Sequence, residues 1–184
     1  GISGKMFSTL GKNNINIRAI AQGASEKNIS SVISDKDVKK ALNSLHEAFF
    51  EDNTKQLNVY IAGVGNVGEK LIEQIKQQHK FLKKNHKINV RIIGMANSRK
   101  MVLNPDGIDL DNWPAQFHYA ETSSIIGFLN KAIEFNLRNS IFVDITASED
   151  ISKTYAEYLK NSIAVVACNK IACSSSYDNY KKLK

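Results

Sequence analysis

This sequence of 184 residues has few cysteines, no long apolar run and no internal repeat. Its two cysteines, Cys168 and Cys173, are expected to be reduced thiols, as in most cytosolic chains. No apolar run reaches the length that spans a bilayer, and the N-terminal residues do not resemble a signal peptide. We therefore expect a soluble, cytoplasmic protein without a membrane partner.

The ligand spacing of a metal site is also absent from the sequence. Cys168 and Cys173 are four residues apart, with no histidine or further cysteine nearby, which argues against zinc. The four histidines stand apart from one another and share no metal-binding spacing: His46, His79, His86 and His118. We expect no metal site.

Positive charge is in excess in an otherwise ordinary composition. The formal net charge is +7 and the sequence pI is near 9.3, values that suit a nucleic-acid binder. The basic residues are scattered, however, and the densest group has little aromatic interleaving: Lys76, Lys80, Lys83, Lys84, Lys87 and Arg91. We interpret this group as the solvated end of a helix and expect no nucleic-acid partner.

A glycine-rich turn is the most informative stretch. Val59 to Ala62 reads as a buried parallel strand, and Gly63, Gly65 and Gly68 then fit G-x-G-x-x-G. The apolar residues that follow keep helical spacing, which predicts a helix that opens within the turn: Val67, Leu71, Ile72 and Ile75.

Each glycine suits a distinct role in dinucleotide binding. Gly63 permits the tight turn, Gly65 lets a diphosphate approach the backbone, and Gly68 lets the helix lie close to the sheet. The unpaired N–H groups of the first helical turn, at Asn66, Val67 and Gly68, then face the phosphates. The strand and helix around the glycines make the motif strong. The alternative is a glycine-rich turn that binds nothing.

Periodicity divides the chain at a short polar stretch, residues 51–56. Residues 1–56 read as helix, strand, strand and helix, which is too small for a two-layer core without another strand or a partner chain. In residues 57–184 strands alternate with helices, which implies an α/β fold with a doubly wound, mostly parallel sheet.

Several local features of residues 57–184 are also predicted. Residues 101–114 read as irregular, and residues 174–184 as the start of a helix. Thr122 or Ser123 is expected to cap one helix, and Ser148 the next.

Several groups of residues, in this order, resemble a known family. Gly11–Gly23, with Ser25 and Glu26, resembles the second regulatory ACT module of aspartokinases. Four later groups resemble the Rossmann-like cofactor domain of homoserine dehydrogenases: Ile61–Gly68, Ala96–Arg99, Val143–Ala147 and Cys168–Lys170. The whole resembles the middle of a bifunctional aspartokinase/homoserine dehydrogenase.

The resemblance implies a fragment, with a kinase domain and the first ACT strand before Gly1 and a homoserine-binding, catalytic region after Lys184. It implies NAD(P)H-dependent reduction of aspartate semialdehyde to homoserine, phosphorylation of aspartate by ATP, and feedback inhibition by threonine. We expect this piece to bind the cofactor and the regulatory amino acid, but to be inactive alone.

The end of the second strand bears on the choice of cofactor. A Rossmann fold that prefers NAD usually places an acid there for the ribose, whereas this sequence has Asn97, Ser98 and Arg99. Ser98 is suited to donate to a 2′-phosphate and Arg99 to neutralise it, which favours NADP, with NAD as the alternative. Arg99 as a plain surface charge is the competing interpretation.

Two later strand ends complete the predicted cofactor site. Thr146 and Ala147 end the third strand, and Asn169 and Lys170 end the fourth, at the edge where such sheets bind ligands. In related dehydrogenases the matching lysine reaches toward the nicotinamide, so the resemblance makes Lys170 the candidate catalytic residue, which would polarise the aldehyde oxygen. The alternatives are a helix-entry turn at Thr146, and a lysine that only binds phosphate or solvent.

The resemblance also implies an effector site in the first part of the chain. Gln22 is a candidate for holding the amino acid through its amide, and Asn14 and Ile15 lie at the loop edge that lines such sites. The alternative for Gln22 is a polar strand residue at a dimer interface. Because half an ACT unit needs another copy to complete a sheet, we expect a homodimer.

A second class of function stays open, a non-catalytic nucleotide-sensing Rossmann module such as those of ion transporters. The order of the two parts argues against it, since the regulatory part precedes the glycine turn. Asn169 and Lys170 also have no evident use in such a module. A basic nucleic-acid binder is a weaker third possibility, which a steep salt dependence of DNA retention would favour.

Overall fold

A computed structural model describes residues 1–23, 28–50 and 54–183 and divides the chain into two compact units, Gly1–Thr54 and Lys55–Lys184. Part of the polar stretch expected to separate them, residues 51–53, lies outside the described residues, as do Ser25 and Glu26 of the ACT-like motif. The strand that opens the second unit already begins at Lys55. The division into domains 1–56 and 57–184 stays a prediction.

The first unit contains two helices and an antiparallel pair of strands. Its elements are α1 (Ile2–Lys12), β1 (Ile17–Gln22), β2 (Ile29–Ile33), a 3-10 turn (Asp35–Asp37) and α2 (Val38–Phe50). Its small core contains Leu10, Ile15 and Ala41, with Met6, Ile17, Ile33 and Leu45 partly buried against them. This ACT-like arrangement agrees with the expected order of helix, strand, strand and helix.

The second unit is built on a six-stranded sheet in the order β6-β5-β4-β3-β7-β8. The four neighbouring strands β4, β3, β7 and β8 are parallel to one another. Strands β5 and β6 are added at one edge and pair in antiparallel fashion. This sheet confirms the predicted Rossmann-like α/β fold. The strands are β3 (Lys55–Ala62), β4 (Ile88–Ala96), β5 (Lys100–Leu103), β6 (Glu121–Thr122), β7 (Ser140–Asp144) and β8 (Ala164–Ala167).

Apolar side chains from both faces of this sheet are buried in two separate cores. Tyr60 of β3 belongs to one core with Ile93 and Phe142, whereas the next residue, Ile61, belongs to the other with Ile72. Strands covered on both faces read as continuous apolar runs, as β3 and β4 do. The helices are α3 (Asn66–Phe81), extended by a π-helical turn (Leu82–His86), α4 (Trp113–His118), α5 (Ile125–Phe135), α6 (Glu149–Ser152), α7 (Tyr155–Lys160), α8 (Ile171–Ser174) and α9 (Tyr177–Leu183).

Some of the local predictions are wrong. Residues 100–103 form β5, so the segment 101–114 is not wholly irregular, because a tight hairpin turn brings this short stretch back against β4. The cap of α5 is Ser124, whose Oγ accepts the Gly127 N–H at 3.0 Å, and Thr122 lies in β6 instead. The helix predicted within residues 174–184 is confirmed as α9, and the short helix α8 precedes it.

The cap predicted at Ser148 is confirmed, since its Oγ accepts the Ile151 N–H. Among the residues described, no helix combines the length and the apolar character needed to cross a membrane.

Candidate functional site

The carboxyl ends of β4, β3, β7 and β8 lie side by side at one edge of the sheet. The chain runs outward from β3 through β4, β5 and β6 and then returns to β7 on the other side of β3, so the strand order reverses at β3. Open α/β sheets bind ligands at such a reversal. With neighbouring strands about 4.8 Å apart, the four ends span about 14 Å. This edge is the candidate site.

Gly63 joins the turn after β3 to the ends of both neighbouring strands. Its φ of +103° lies in the region that favours glycine, and a Cβ here would be 2.8 Å from the Ile145 carbonyl oxygen and 3.0 Å from Cγ2 of Thr146. Its N–H donates to the Ala96 carbonyl at 2.8 Å. The turn is therefore held against β4 on one side and against the end of β7 on the other.

Gly68 and Gly65 lie in very different surroundings within the same turn. A Cβ on Gly68 would be 2.3 Å from the Gly63 carbonyl oxygen, so the first turn of α3 has no room for one. A Cβ on Gly65 would meet nothing within 4 Å. Gly68 thus sets the close approach of α3, whereas Gly65 leaves open space above the turn.

The start of α3 presents backbone donors beside that open space. The first intrahelical bond runs from the Glu69 N–H to the Gly65 carbonyl at 2.8 Å. The N–H groups of Asn66, Val67 and Gly68 come before it and so have no acceptor within the helix. Such N–H groups, together with the helix dipole, favour an anion.

The residues after β4 form a tight hairpin turn into β5. Asn97 Oδ1 accepts the N–H groups of Arg99 and Lys100, both at 2.8 Å, and the Asn97 N–H donates to the Lys100 carbonyl at 2.9 Å. The Arg99 carbonyl accepts the Ser123 N–H at 2.9 Å. Ser98 and Arg99 are exposed at the tip of this turn.

A buried carboxylate, Asp144, connects the ends of β7 and β8. It is 0% exposed, and its Oδ1 accepts the Thr146 N–H at 2.7 Å. Its Oδ2 accepts the Tyr155 hydroxyl at 2.5 Å and the Asn169 Nδ2 at 3.1 Å. Burial, and then the hydrogen bond to Asp144, raise the pKa of Tyr155, so this hydroxyl stays a donor. Asp144 therefore holds both strand ends in fixed positions.

Asn169 and Lys170 differ sharply although they are adjacent. The Asn169 side chain is 5% exposed, donates also to the Ser148 carbonyl at 2.9 Å, and accepts the Ile171 N–H at 3.0 Å. Its amide is thus used inside the protein, and any contact with a ligand is left to its backbone. Lys170 is exposed at the start of α8, and its ammonium has no partner within the described part of the chain.

The structure brings the predicted cofactor residues to one edge but separates the predicted effector residues. Ser98 and Arg99 follow β4, the glycine turn follows β3, Thr146 and Ala147 follow β7, and Asn169 and Lys170 follow β8. Asn14 and Ile15 precede β1, whereas Gln22 ends it. A strand rise of about 3.3 Å per residue places Gln22 roughly 20 Å from Ile15. Ile15 is also buried in the core of the first unit.

Sequence reasoning assigned no role of their own to three residues of this edge: Asn97, Asp144 and Tyr155. Asparagine favours turns because its side chain accepts a hydrogen bond from the backbone two residues further on, and this preference is a sequence signal for the turn at Asn97. A carboxylate that ends an apolar strand, as Asp144 does, is a signal for a buried polar network. Tyr155 has no such signal, because its contact with Asp144 depends on how α7 packs. In the described residues, no three potential metal ligands lie together.

The parallel sheet and the glycine turn at the carboxyl ends of its strands together define a dinucleotide-binding unit of the Rossmann type, which a small ACT-like unit precedes. Residues 63–184 match the family model described as "Homoserine dehydrogenase, NAD binding domain", and residues 1–49 match the model described as "ACT domain". The chain belongs to the homoserine dehydrogenase NAD-binding family, and its two units follow the order found in bifunctional aspartokinase/homoserine dehydrogenases.

Named relatives support this assignment along the whole chain. The chain is 39% identical to bifunctional aspartokinase/homoserine dehydrogenase 1, chloroplastic, of Zea mays, and covers 20% of it. It is 36% identical to the bifunctional enzyme of Buchnera aphidicola, of which it covers 22%. Both alignments include 100% of this chain, which thus spans about a fifth of the length of these relatives.

A solved structure shows the same fold in the second unit. A hyperthermophilic archaeal homoserine dehydrogenase mutant in complex with NADPH matches with a TM-score of 0.54 and 18% identity. The match covers 70% of this chain and 40% of the archaeal one.

Proposed function

We propose that the second unit binds NADP(H) along the strand ends described above. The observation that carries the proposal is the open space above Gly65, bordered by the N–H groups of Asn66, Val67 and Gly68, which have no acceptor within α3. A diphosphate lying there would accept these hydrogen bonds at a distance that a side chain on residue 65 would prevent.

The two neighbours of the glycine turn would hold the two ends of the cofactor. Ser98 and Arg99, at the end of β4, would bind a 2′-phosphate, since no acid there repels it. Thr146 and Ala147, at the end of β7, would lie beside the nicotinamide half. NADPH in the related archaeal structure is compatible with this choice, and NAD remains the alternative cofactor.

Lys170 is the residue proposed to act on the substrate. Its exposed ammonium, without a partner in the described residues, would stabilise negative charge on an aldehyde oxygen. NADPH would supply the hydride. We propose that the whole protein reduces aspartate semialdehyde to homoserine and phosphorylates aspartate, as the names of its relatives suggest, and that this chain alone shows no turnover.

The first unit is proposed to bind a regulatory amino acid, threonine in the first instance. Gln22 remains the candidate amide, with Asn14 and Ile15 as candidate edge residues. Since these lie at opposite ends of β1, one pocket using all three would have to be completed by a second copy, which agrees with a proposed homodimer.

Titration of the purified chain with NADPH, followed by fluorescence, tests the cofactor proposal. We expect saturable binding, and we expect Gly65→Val to weaken it at least tenfold while the melting temperature stays within a few degrees. The valine would fill the space meant for the diphosphate, yet no atom lies within 4 Å of its Cβ. Gly11→Ala is the control, because its added Cβ is equally unobstructed but lies in the first unit.

Two results would contradict the proposal. One is a folded wild-type chain that binds neither NADPH nor NADH at millimolar concentration. The other is a Gly65→Val variant that binds as tightly as the wild type, because the diphosphate would then have to lie elsewhere.

A further inference from the structure

Arg99 is held by its backbone on both sides, although its side chain is exposed. Its N–H donates to Asn97 Oδ1 at 2.8 Å, and its carbonyl accepts the Ser123 N–H at 2.9 Å. The tip of the hairpin is therefore fixed between the end of β4 and the residue that follows β6. A fixed backbone fixes the direction of the Arg99 Cα–Cβ bond, from which the exposed side chain extends.

The neighbouring cation, Lys100, is already engaged. Its Nζ donates to the His118 carbonyl, and its N–H donates to Asn97 Oδ1 at 2.8 Å. Within the described part of the chain, the Arg99 guanidinium has no hydrogen bond or ion pair. Of the two adjacent basic residues, only Arg99 is thus available to a ligand at this end of β4.

We propose that Asn97 is a specificity-determining positioning residue, which selects NADP(H) over NAD(H) by fixing the backbone that presents Ser98 and Arg99. The inference rests on the proposed cofactor site. One side-chain oxygen of Asn97 accepts two successive N–H groups, so it sets the backbone angles of the tip without contacting the cofactor itself. Loss of that oxygen would leave Arg99 charged and exposed but free to sample other directions.

The expected effect is confined to the cofactor that carries a 2′-phosphate. A net hydrogen bond contributes about 1 kcal/mol, so Asn97→Ala should weaken NADPH binding about fivefold. NADH has no group for Ser98 and Arg99 to bind, and its affinity should not change. Asn97→Ser should restore part of the NADPH affinity, since serine forms the same kind of turn more weakly.

The dissociation constants of NADPH and NADH, measured on each variant by fluorescence, test this proposal. Asn104→Ala is the matched control: Asn104 Oδ1 accepts the Asp106 N–H at 3.0 Å in a similar turn that follows β5 instead of β4. The control should leave both constants unchanged. Competition by adenosine 2′,5′-bisphosphate against AMP gives the same comparison without the nicotinamide half.

Several outcomes would overturn the proposal. Equal weakening of NADPH and NADH by Asn97→Ala would mean that the turn is only structural, and no change in either would mean that the turn does not position Arg99. A wild-type chain that binds both cofactors equally would remove the selectivity itself while leaving the cofactor site intact. A wild-type chain that binds neither would instead count against the proposed function.

Discussion

The two units differ in how much apolar surface they bury. The second buries apolar side chains on both faces of its sheet, whereas in the described part of the first the buried core contains Leu10, Ile15 and Ala41. Both units leave some large apolar side chains exposed, and in the first these are found on both helices and both strands: Ile2, Ile20, Val32, Leu42 and Phe50. Small units that bury little surface have little stability to spare. The candidate cofactor site thus lies on the unit with the larger buried core.

The largest effect is expected from a cavity in the smaller core. Leu10 is 1% exposed, and Leu10→Ala should cost about 3 kcal/mol, which a core of this size cannot absorb. Hydrogen exchange should then show loss of protection throughout the described part of the first unit, while NADPH binding by the second persists. Leu42→Ala, the same change at a 63% exposed position, is the control. Equal effects of the two substitutions would refute the contrast between the units.

Gly68→Ala should disturb the larger unit at its site. The added Cβ would be 2.3 Å from the Gly63 carbonyl oxygen, and relief of this overlap requires α3 to move, at a cost of about 2 to 3 kcal/mol. Denaturant unfolding should show the loss, and NADPH binding should fall with it. Gly65→Ala should leave the unfolding curve unchanged. A Gly68→Ala chain as stable as the wild type would show that α3 does not depend on this close approach.

Asp144→Asn should have a somewhat smaller effect on the same unit. An amide nitrogen in place of Oδ2 would face the Asn169 Nδ2, so two donors would meet, at a cost of about 2 kcal/mol. Tyr155→Phe removes only one of the bonds to Asp144 and should cost about half as much. Thermal unfolding of both variants measures the difference. The reverse order of stabilities would mean that the hydroxyl of Tyr155 matters more than the contact between the two strand ends.

Alkaline pH should have a smaller effect on stability, and one that differs between the units: it should destabilise the second unit more than the first. Burial raises the pKa of Tyr60, Tyr155 and Tyr158, all in the second unit. Because these groups ionise at about pH 10 when unfolded but resist ionisation when folded, their contribution is complete below that pH and is lost as pH rises above it. In the first unit, burial lowers the pKa of Lys40, so the charged form of this lysine destabilises the folded state. This destabilisation decreases as the pH rises and the lysine loses its proton.

Residue-resolved hydrogen exchange between pH 9 and 11 measures this effect, after correction for the intrinsic exchange rate. The second unit should lose protection faster than the first over this range. Parallel loss in both units would contradict the assignment of the effect to the buried tyrosines.

Much of the second unit was predictable because its signals are local. The apolar run before Gly63 and the helical spacing after it are enough to place β3, the turn and α3. Strand β5 was missed because its four residues carry too little pattern of their own and depend on the hairpin turn for pairing. The cap of α5 was displaced to Ser124 because Thr122 pairs with Lys100, a contact that spacing along the chain does not reveal.

The residues of the candidate site also fall into those that local sequence signals predict and those that depend on contacts between distant parts of the chain. Those that follow strands were predictable, since parallel strands end at a common edge. The link from Asp144 to Asn169 was not, because it joins residues 25 positions apart through side chains. For the same reason Asn169 appeared to be a ligand, although its amide is committed to internal hydrogen bonds.

The pairing of Ala96 with Met101 across the hairpin limits how this edge is able to evolve. If one residue were inserted after β4 and the strand pairing shifted by one position, the side chain of Met101, now 4% exposed, would turn from its present core to the opposite face of the sheet, where Val102 packs against the other core. Lineages that exchange one nicotinamide cofactor for the other should therefore do so by replacing residues 98 and 99, and loops of altered length should be rare among them.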